Sequence, residues 1–587
     1  MSALLATACQ PAGETPQPVE PDPEQAPAEE AEAARAWTKG AMVAAADPRA
    51  VEAGLDVLRE GGTAVDAAIA VHAVLGLVEP QSSGIGGGAF AVYYDFEDDA
   101  LTVYDGRETA PMAATEDLFM QDGEVLGFVP AWQSGRSAGV PGMIALYKAM
   151  HEAEGEADWA RLFQPAIDLA ADGFEVSPRL AGLLANERLR QAVRLDDEDN
   201  EASAGYFYPD GEPLKAGFVR ENPAYAETLR AVAANGPDAF YTGANAEAIV
   251  AALSADPIPG SMTLEDLSGY DVETRPALCG KHEDIEICSA PPPSSGGVTQ
   301  NAIYGLYNRI LPSNSGDSKS DRLRAWVEAQ RLAYADRDHY VADSDFVQVP
   351  SEDLINPDYL DARATQGGDM DAEPQPGDPG EVLGRGPMID MWGRDTSDDK
   401  PGTTHISIVD SQGNAVSMTA TVESAFGNSR MVNGYLLNNE LTDFARQPRM
   451  GGKPVANAPG PGKRPRSSMS PSMVFDEAGD LLMVTGSPGG NSIIAYVSKT
   501  VIGVLEWGLS AQDAIDLPNV IARGRTVGVE IDVRKGEDWA AMLSDMGYVV
   551  EERTGENSGL HVIVVREDGL EGGADPRREG VAKTLEE

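Results

Sequence analysis

The sequence predicts a mixed α/β (α+β) fold, on three observations. Apolar residues recur at helical spacing over 48–78, 140–255 and 320–345, strand-like alternation fills 85–104 and 403–500, and 62 glycines and 40 prolines punctuate the chain too often for a helical bundle. Hydrophobic residues make up 42% of 587 positions, enough for a large core. The length allows several domains or one large one.

In chain order, MSALLATACQ is a short apolar run of small residues that reaches Cys9, and an acidic, proline-rich stretch follows. This reads as the truncated end of a lipoprotein-type signal. It lacks the basic n-region and is shorter than an h-region of roughly 7–15 residues. Cys9 is then the lipidated residue, and residues 1–35 are signal remnant and disordered tether. The folded part begins near Ala41. PRAVEAGLDVLREGGTAVDAAIAVHAVLGLV reads as two helices around Gly61-Gly62, the second apolar on every side and therefore buried. GGGAFAVYYDFEDDALTVYDG reads as a hairpin turning at Glu97–Asp99. Residues 364–402 lack periodicity and are crowded with Gly, Pro and Asp. A stretch of that length inside a domain marks a functional loop or a processing region.

The formal charge of −51, from 95 Asp+Glu against 44 Lys+Arg, argues against nucleic acid as a partner. With Cys9 and the acidic tether it points to a periplasmic, outer-membrane-anchored or otherwise extracytoplasmic setting. No run of 18 apolar residues is present to span a membrane as a helix. The three cysteines form no CxxC pair and the six histidines no HxxxH cluster, so a zinc site has no support. Cys279 and Cys288 flank a short hairpin that leaves a local disulfide open.

Two motif matches carry little. Gly84 to Ala89 satisfies GxGxxA, but a helix precedes it and a strand follows, the reverse of a dinucleotide site. Gly135 to Gly139 satisfies GxSxG around Ser137. Pro130 before it and Pro141-Gly142 after it interrupt the strand and helix a nucleophile elbow needs, which leaves a Ser137 esterase as the alternative from another class.

The informative segment is PGTTHISIVDSQGNAVSMTATVES. Ser411 to Asn414 is turn chemistry between two strands. On the second strand Ser417, Thr419, Thr421 and Glu423 share one face. Pairing Val409 with Ala415 across the turn sets Thr403 opposite Thr421, their Cβ atoms about 4.5–5.5 Å apart. Thr403 also ends the aperiodic run. Cleavage of the Gly402–Thr403 bond would give Thr403 a free α-amine beside its own hydroxyl, and an amine with a pKa near 7.7–8.0 can serve that hydroxyl as base.

VEPQSSGIGGGAF, DGRETAP, SAGVPG, APPPSSGGV, TTHISIVDSQGNAVSMT, FGN, LLNNELTDF, KRPRSSMSP and GSPGG stand in that order along the chain. By these motifs the sequence resembles the gamma-glutamyltranspeptidase family of N-terminal nucleophile hydrolases over nearly all of its length after residue 36. The resemblance implies a four-layer αββα sandwich, self-cleaved between Gly402 and Thr403 into a large subunit, 36–402, and a small catalytic one, 403–587. It implies Thr403 as nucleophile, Thr421 as its supporting hydroxyl, and the backbone N–H groups of Gly489 and Gly490 as oxyanion hole. Arg107, with Ser467 and Ser468, is implied to grip the donor α-carboxylate, and Glu440 and Asp443 the α-ammonium. Thr419 and Glu423 join the substrate-binding set. The implied substrates are glutathione-like gamma-glutamyl donors, with water or an amino acid or peptide as acceptor. No metal and no organic cofactor is implied.

Two departures stand out. Glu423 occupies a position where many members carry Asn, and Phe444–Arg466 is shortened and lacks an aromatic lid residue. They leave open a cephalosporin or glutaryl acylase-like activity. A non-catalytic lipoprotein that binds an envelope partner is the remaining alternative.

Overall fold

The computed structural model describes residues 36–586 apart from 198–199, 256–257, 317 and 398–401. The expectations for Cys9 and the tether lie outside the described residues. Strands β1 (Met42–Ala45), β2 (Gly88–Asp95), β3 (Ala100–Gly106), β4 (Glu273–Pro276), β5 (Leu278–His282), β6 (Ile285–Ser289), β7 (Thr403–Val409), β8 (Ala415–Thr421), β9 (Ser472–Asp476), β10 (Leu481–Gly486), β11 (His561–Arg566), β12 (Gly569–Ala574) and β13 (Val581–Thr584) form the two principal sheets. One is seven-stranded, in the order β13-β1-β7-β8-β2-β3-β4; the other is six-stranded, in the order β12-β11-β10-β9-β6-β5. All pairings within them are antiparallel.

Helices cover both outer faces. On the seven-stranded sheet lie α1 (Pro48–Arg59) and α2 (Ala64–Val78), joined at Gly61-Gly62 as the sequence predicts. Thr63 and Asp66 cap α2 reciprocally, and all its residues are buried, so its uniform apolarity needs no polar face. On the six-stranded sheet lie α3 (Gly296–Ile310), α4 (Lys319–Tyr340) and α5 (Ile493–Leu505). The order helix, sheet, sheet, helix is the four-layer sandwich. One expectation is corrected: the strand-like region ends before 493, because IIAYVSKTVIGVL is α5. Its β-branched residues suggest strand, yet burial of nearly all its side chains against two neighbouring helices and a sheet stabilises a helix instead.

Strand β7 lies inside the seven-stranded sheet between β1 and β8. Asp410 fixes the β7–β8 turn by accepting from the N–H groups of Gln412 and Asn414, both at 2.9 Å, and Gly413 turns with φ +97°. The register follows from that turn: Val409 faces Ala415 and Thr403 faces Thr421. Hydroxyls then bind the sheets together, Ser407 donating to His561 O and Ser417 to Thr485 O, each at 3.0 Å. Among the described residues after the helix Pro357–Ala364, the stretch up to 402 carries one short helix, Pro379–Val382. Cys279 and Cys288, directly opposed on β5 and β6, form a disulfide.

Candidate active site

Thr403 begins β7, and Thr421 ends β8 beside it. Their hydroxyl oxygens are 3.3 Å apart. Thr421 Oγ1 donates to the carbonyl oxygen of Gly402 at 2.8 Å and accepts from the N–H of Glu423 at 2.8 Å. A hydroxyl has a single proton, so toward Thr403 it accepts, and a directed chain runs from the Thr403 hydroxyl through Thr421 to the Gly402 carbonyl. The N–H of Val422 also donates to that carbonyl, at 3.4 Å. The bond before Thr403 thus carries a polarised carbonyl with a hydroxyl next to it. Glycine is required at 402 by contact: a Cβ there would lie 2.3 Å from Glu423 O and 2.4 Å from the Ser424 carbonyl carbon. Thr403 is only 3% exposed.

The carbonyl of Thr403 accepts from Arg578 at 2.8 Å. Burial, and then nearby Arg179, bring the Arg578 guanidinium down to about 9, opposed by Glu79 and Asp575. Gly559 packs against both Arg578 and Pro488, which ties Thr403 to the GSPGG loop. In that loop Gly489 has φ +136° and Gly490 φ +57°, conformations that favour glycine, and a Cβ on Gly489 would strike the Tyr496 ring at 2.4 Å.

A second cluster is built on Arg107, just past the end of β3. Arg107 is fully buried and pairs with Glu440 and, at 2.7 Å, with Asp443. It donates as well to Pro465 O at 3.2 Å and Arg466 O at 2.8 Å, the residues leading into Ser467-Ser468. Burial works against the charge on Arg107, but Glu440, Asp443 and Glu108 together hold it above the usual arginine value. The Ser467 hydroxyl accepts from Met469 N–H, and Ser468 is held by Arg337 and lies 3.3 Å from Asn491 Oδ1.

Two asparagines join the clusters. Asn438 donates to Gly86 O and Gly139 O, both at 2.9 Å, anchoring the acidic turn to the glycine-rich motifs. Asn439 accepts from Ser424 N–H and donates to Glu423 and to the Thr442 hydroxyl, joining that turn to the end of the β7–β8 hairpin. Glu423, at φ +74°, turns the chain there and is engaged by Asn439 and Ser424 rather than by Arg107. Thr419 pairs with His405 Nδ1 at 2.9 Å between the sheets and makes no contact with the Arg107 cluster among the described residues. Asn438, Asn439, Glu108 and Arg578 were not singled out from sequence. The first three lie inside quoted motifs, and the fourth carries no local signal.

Ser137 sits on a one-turn helix, Gly135–Ser137, where its one hydroxyl proton is shared between Trp132 O at 2.9 Å and Ser134 O at 2.8 Å, and no histidine is among its hydrogen-bond partners in the described residues. That is a structural hydroxyl, not an elbow nucleophile. Among the described residues the one group with metal-like spacing is Cys279, Glu286 and Cys288, and its cysteines are joined to each other.

A family model described as Gamma-glutamyltranspeptidase matches residues 50–585. The glutathione hydrolase proenzyme of Escherichia coli (strain K12) is 34% identical over 559 residues, covering 92% of this chain and 90% of that one. The glutathione hydrolase proenzyme of Bacillus subtilis (strain 168) is 33% identical over 553 residues, 93% of this chain and 91% of that one. Among solved structures, cephalosporin acylase from Bacillus halodurans superposes with a TM-score of 0.82 at 25% identity, over 97% of this chain and 100% of that one. Helicobacter pylori gamma-glutamyltranspeptidase gives 0.51 at 32% identity, over 60% of this chain and 96% of that one. The αββα sandwich is therefore of the N-terminal nucleophile hydrolase type, and the chain belongs to the gamma-glutamyltranspeptidase family.

Proposed function

We propose that the chain is a proenzyme that cleaves itself before Thr403 and then hydrolyses or transfers the gamma-glutamyl group of glutathione-like donors. The observation that carries this reading is the hydroxyl chain from Thr403 through Thr421 to the Gly402 carbonyl. In self-cleavage, Thr403 Oγ attacks the Gly402 carbonyl carbon. Its proton passes to Thr421 as the proton of Thr421 passes to the carbonyl oxygen. The C–N bond then breaks, the nitrogen takes up a proton, and an ester links Gly402 to Thr403. Water cleaves that ester, leaving a carboxylate on Gly402 and a free α-amine on Thr403. The products are the subunits 36–402 and 403–587.

In turnover the α-amine accepts the Thr403 hydroxyl proton and the oxygen attacks the donor γ-amide. The N–H groups of Gly489 and Gly490 meet the developing oxyanion, each worth about 2.7–4 kcal/mol. The leaving amine takes the proton, and water or an acceptor amine releases the glutamyl group. Arg107 with Ser467 and Ser468 takes the donor carboxylate, and Glu440 and Asp443 the ammonium. Glu423 holds the turn through Asn439 at the edge of this site.

The likeness to cephalosporin acylase supports a second reading, an amidase for donors without an α-ammonium. The buried acids around Arg107 favour the first, since they match an ammonium. The disulfide and the charge of −51 support an extracytoplasmic location; anchoring through Cys9 belongs to the same reading.

The test is release of a chromogenic aniline from a gamma-glutamyl anilide by the cleaved protein, compared with a glutaryl anilide. Release from the gamma-glutamyl substrate, lost in Thr403→Ala, is the expected result. Preference for the glutaryl substrate would favour the acylase, and activity surviving Thr403→Ala would overturn both.

A further inference from the structure

Around Arg107 the charges do not balance. One guanidinium faces three fully buried carboxyls: Glu440 and Asp443, which it pairs with, and Glu108, its neighbour in sequence. Neither oxygen of Glu108 has a hydrogen-bond partner among the described residues, and Glu440 Oε2 has none either. Glu108 and Glu440 flank the same guanidinium and act on each other as side chains. Two ionised carboxylates side by side out of water repel strongly; one proton between them makes the contact a hydrogen bond and satisfies one orphaned oxygen on each residue.

The location ties this pair to the chemistry. A Cβ on Gly88 would lie 2.6 Å from Glu108 Oε2, and Gly88 is the direct cross-strand partner of Thr421. Glu108 therefore rests one strand away from the nucleophile's supporting hydroxyl. The other groups facing it do not supply a countercharge. Tyr241 and Tyr270 approach from the helical side and are held neutral by burial, and the Tyr270 hydroxyl donates to Arg107 O at 2.8 Å. Asp105 is engaged by Arg275 at 2.8 Å, with Arg464 3.6 Å away.

We propose that Glu108 is a positioning residue that shares one proton with Glu440 in the ligand-free site, and that binding of the donor α-ammonium expels this proton. The inference rests on the donor-site reading above and deepens it. When a donor enters, its carboxylate takes the Arg107 guanidinium and its ammonium takes Glu440 and Asp443. The incoming positive charge replaces both the guanidinium and the shared proton as partner of Glu440, so the site exchanges one ion-pair set for another and the proton leaves to solvent. Burial, with Asp443 adding to it and Arg107 opposing, pushes Glu440 up to about 8, and burial together with the charge of Glu440 raises Glu108 well above the usual carboxyl range. The sign follows: the pair is protonated below that value, donor binding requires it ionised, and apparent affinity rises with pH until about 8.

Isothermal titration of the self-cleaved protein with L-glutamate near pH 7, in two buffers of different ionisation enthalpy, reads the proton directly. About one proton released per glutamate bound is expected in the wild type, and none in Glu108→Gln, whose amide donates to Glu440 permanently. Self-cleavage of Glu108→Gln into two fragments reports that it folds. Independently of that variant, KM for a gamma-glutamyl anilide in the wild type is expected to fall about tenfold per pH unit below 8 and to level off above it. Binding without proton release, equal release in Glu108→Gln, or a KM flat from pH 6 to 9 would overturn the proposal while leaving the donor reading in place. Absence of both glutamate binding and anilide cleavage would overturn the donor reading and the proposal together.

Discussion

The two halves of the site are built on opposite principles. The proposed nucleophile corner is made of hydroxyls and backbone groups, each with a definite donor and acceptor, and the groups that self-cleavage needs already stand in the uncleaved chain. The proposed donor corner is built on charge, with Arg107 paired to Glu440 and Asp443. The first can react with no outside partner, because its substrate is the peptide bond of Gly402. The second, on the proposed reading, serves only when a zwitterionic donor exchanges its ion pairs. Self-cleavage is therefore expected to depend on the hydroxyl corner alone, and turnover on both.

That comparison breaks most easily at Thr403. Thr403→Ala is expected to abolish self-cleavage and with it all anilide release, a loss of at least about 10⁴-fold, read as a single band on a denaturing gel. Thr421→Ala removes the hydroxyl that polarises the Gly402 carbonyl and is expected to slow self-cleavage by about 10²–10³-fold, followed as band conversion over time. Arg107→Lys keeps the buried charge but loses the fork. It is expected to leave self-cleavage unchanged and to raise donor KM by about 10–100-fold; slowed cleavage would show that the corners are not separate. Asn439→Ala cuts the link between them and is expected to cost several-fold in both processes, as a lost buried hydrogen-bond set should. Ser137→Ala is expected to change anilide release by less than about twofold, because its hydroxyl serves only its own turn.

The hydroxyl corner was legible in the sequence because it is local. A five-residue turn fixes the register of β7 on β8, and a hydroxyl pair at the open end of a hairpin follows from counting. The motifs also marked Arg107, Glu440 and Asp443 as belonging to one site. What counting does not reach is anything assembled across the fold. Arg578 meets the carbonyl of Thr403 from 175 residues away, and β7 gains its other neighbour from β1, near the start of the described chain. Thr419 lies opposite His405 in the same hairpin register, but that the two pair with each other between the sheets depends on the packing around them. The excess of buried acid around Arg107 was invisible because the proximity of Glu108 to Glu440 depends on a long-range contact. Helix α5 was misread as strand because a segment buried on all sides leaves no periodic signature.

The most direct test of the account is the N-terminal residue of the smaller fragment of the purified protein. The account predicts a fragment beginning Thr403-Thr404-His405, absent from Thr403→Ala. A wild-type chain that stays whole, or a fragment beginning at any other residue, would contradict it.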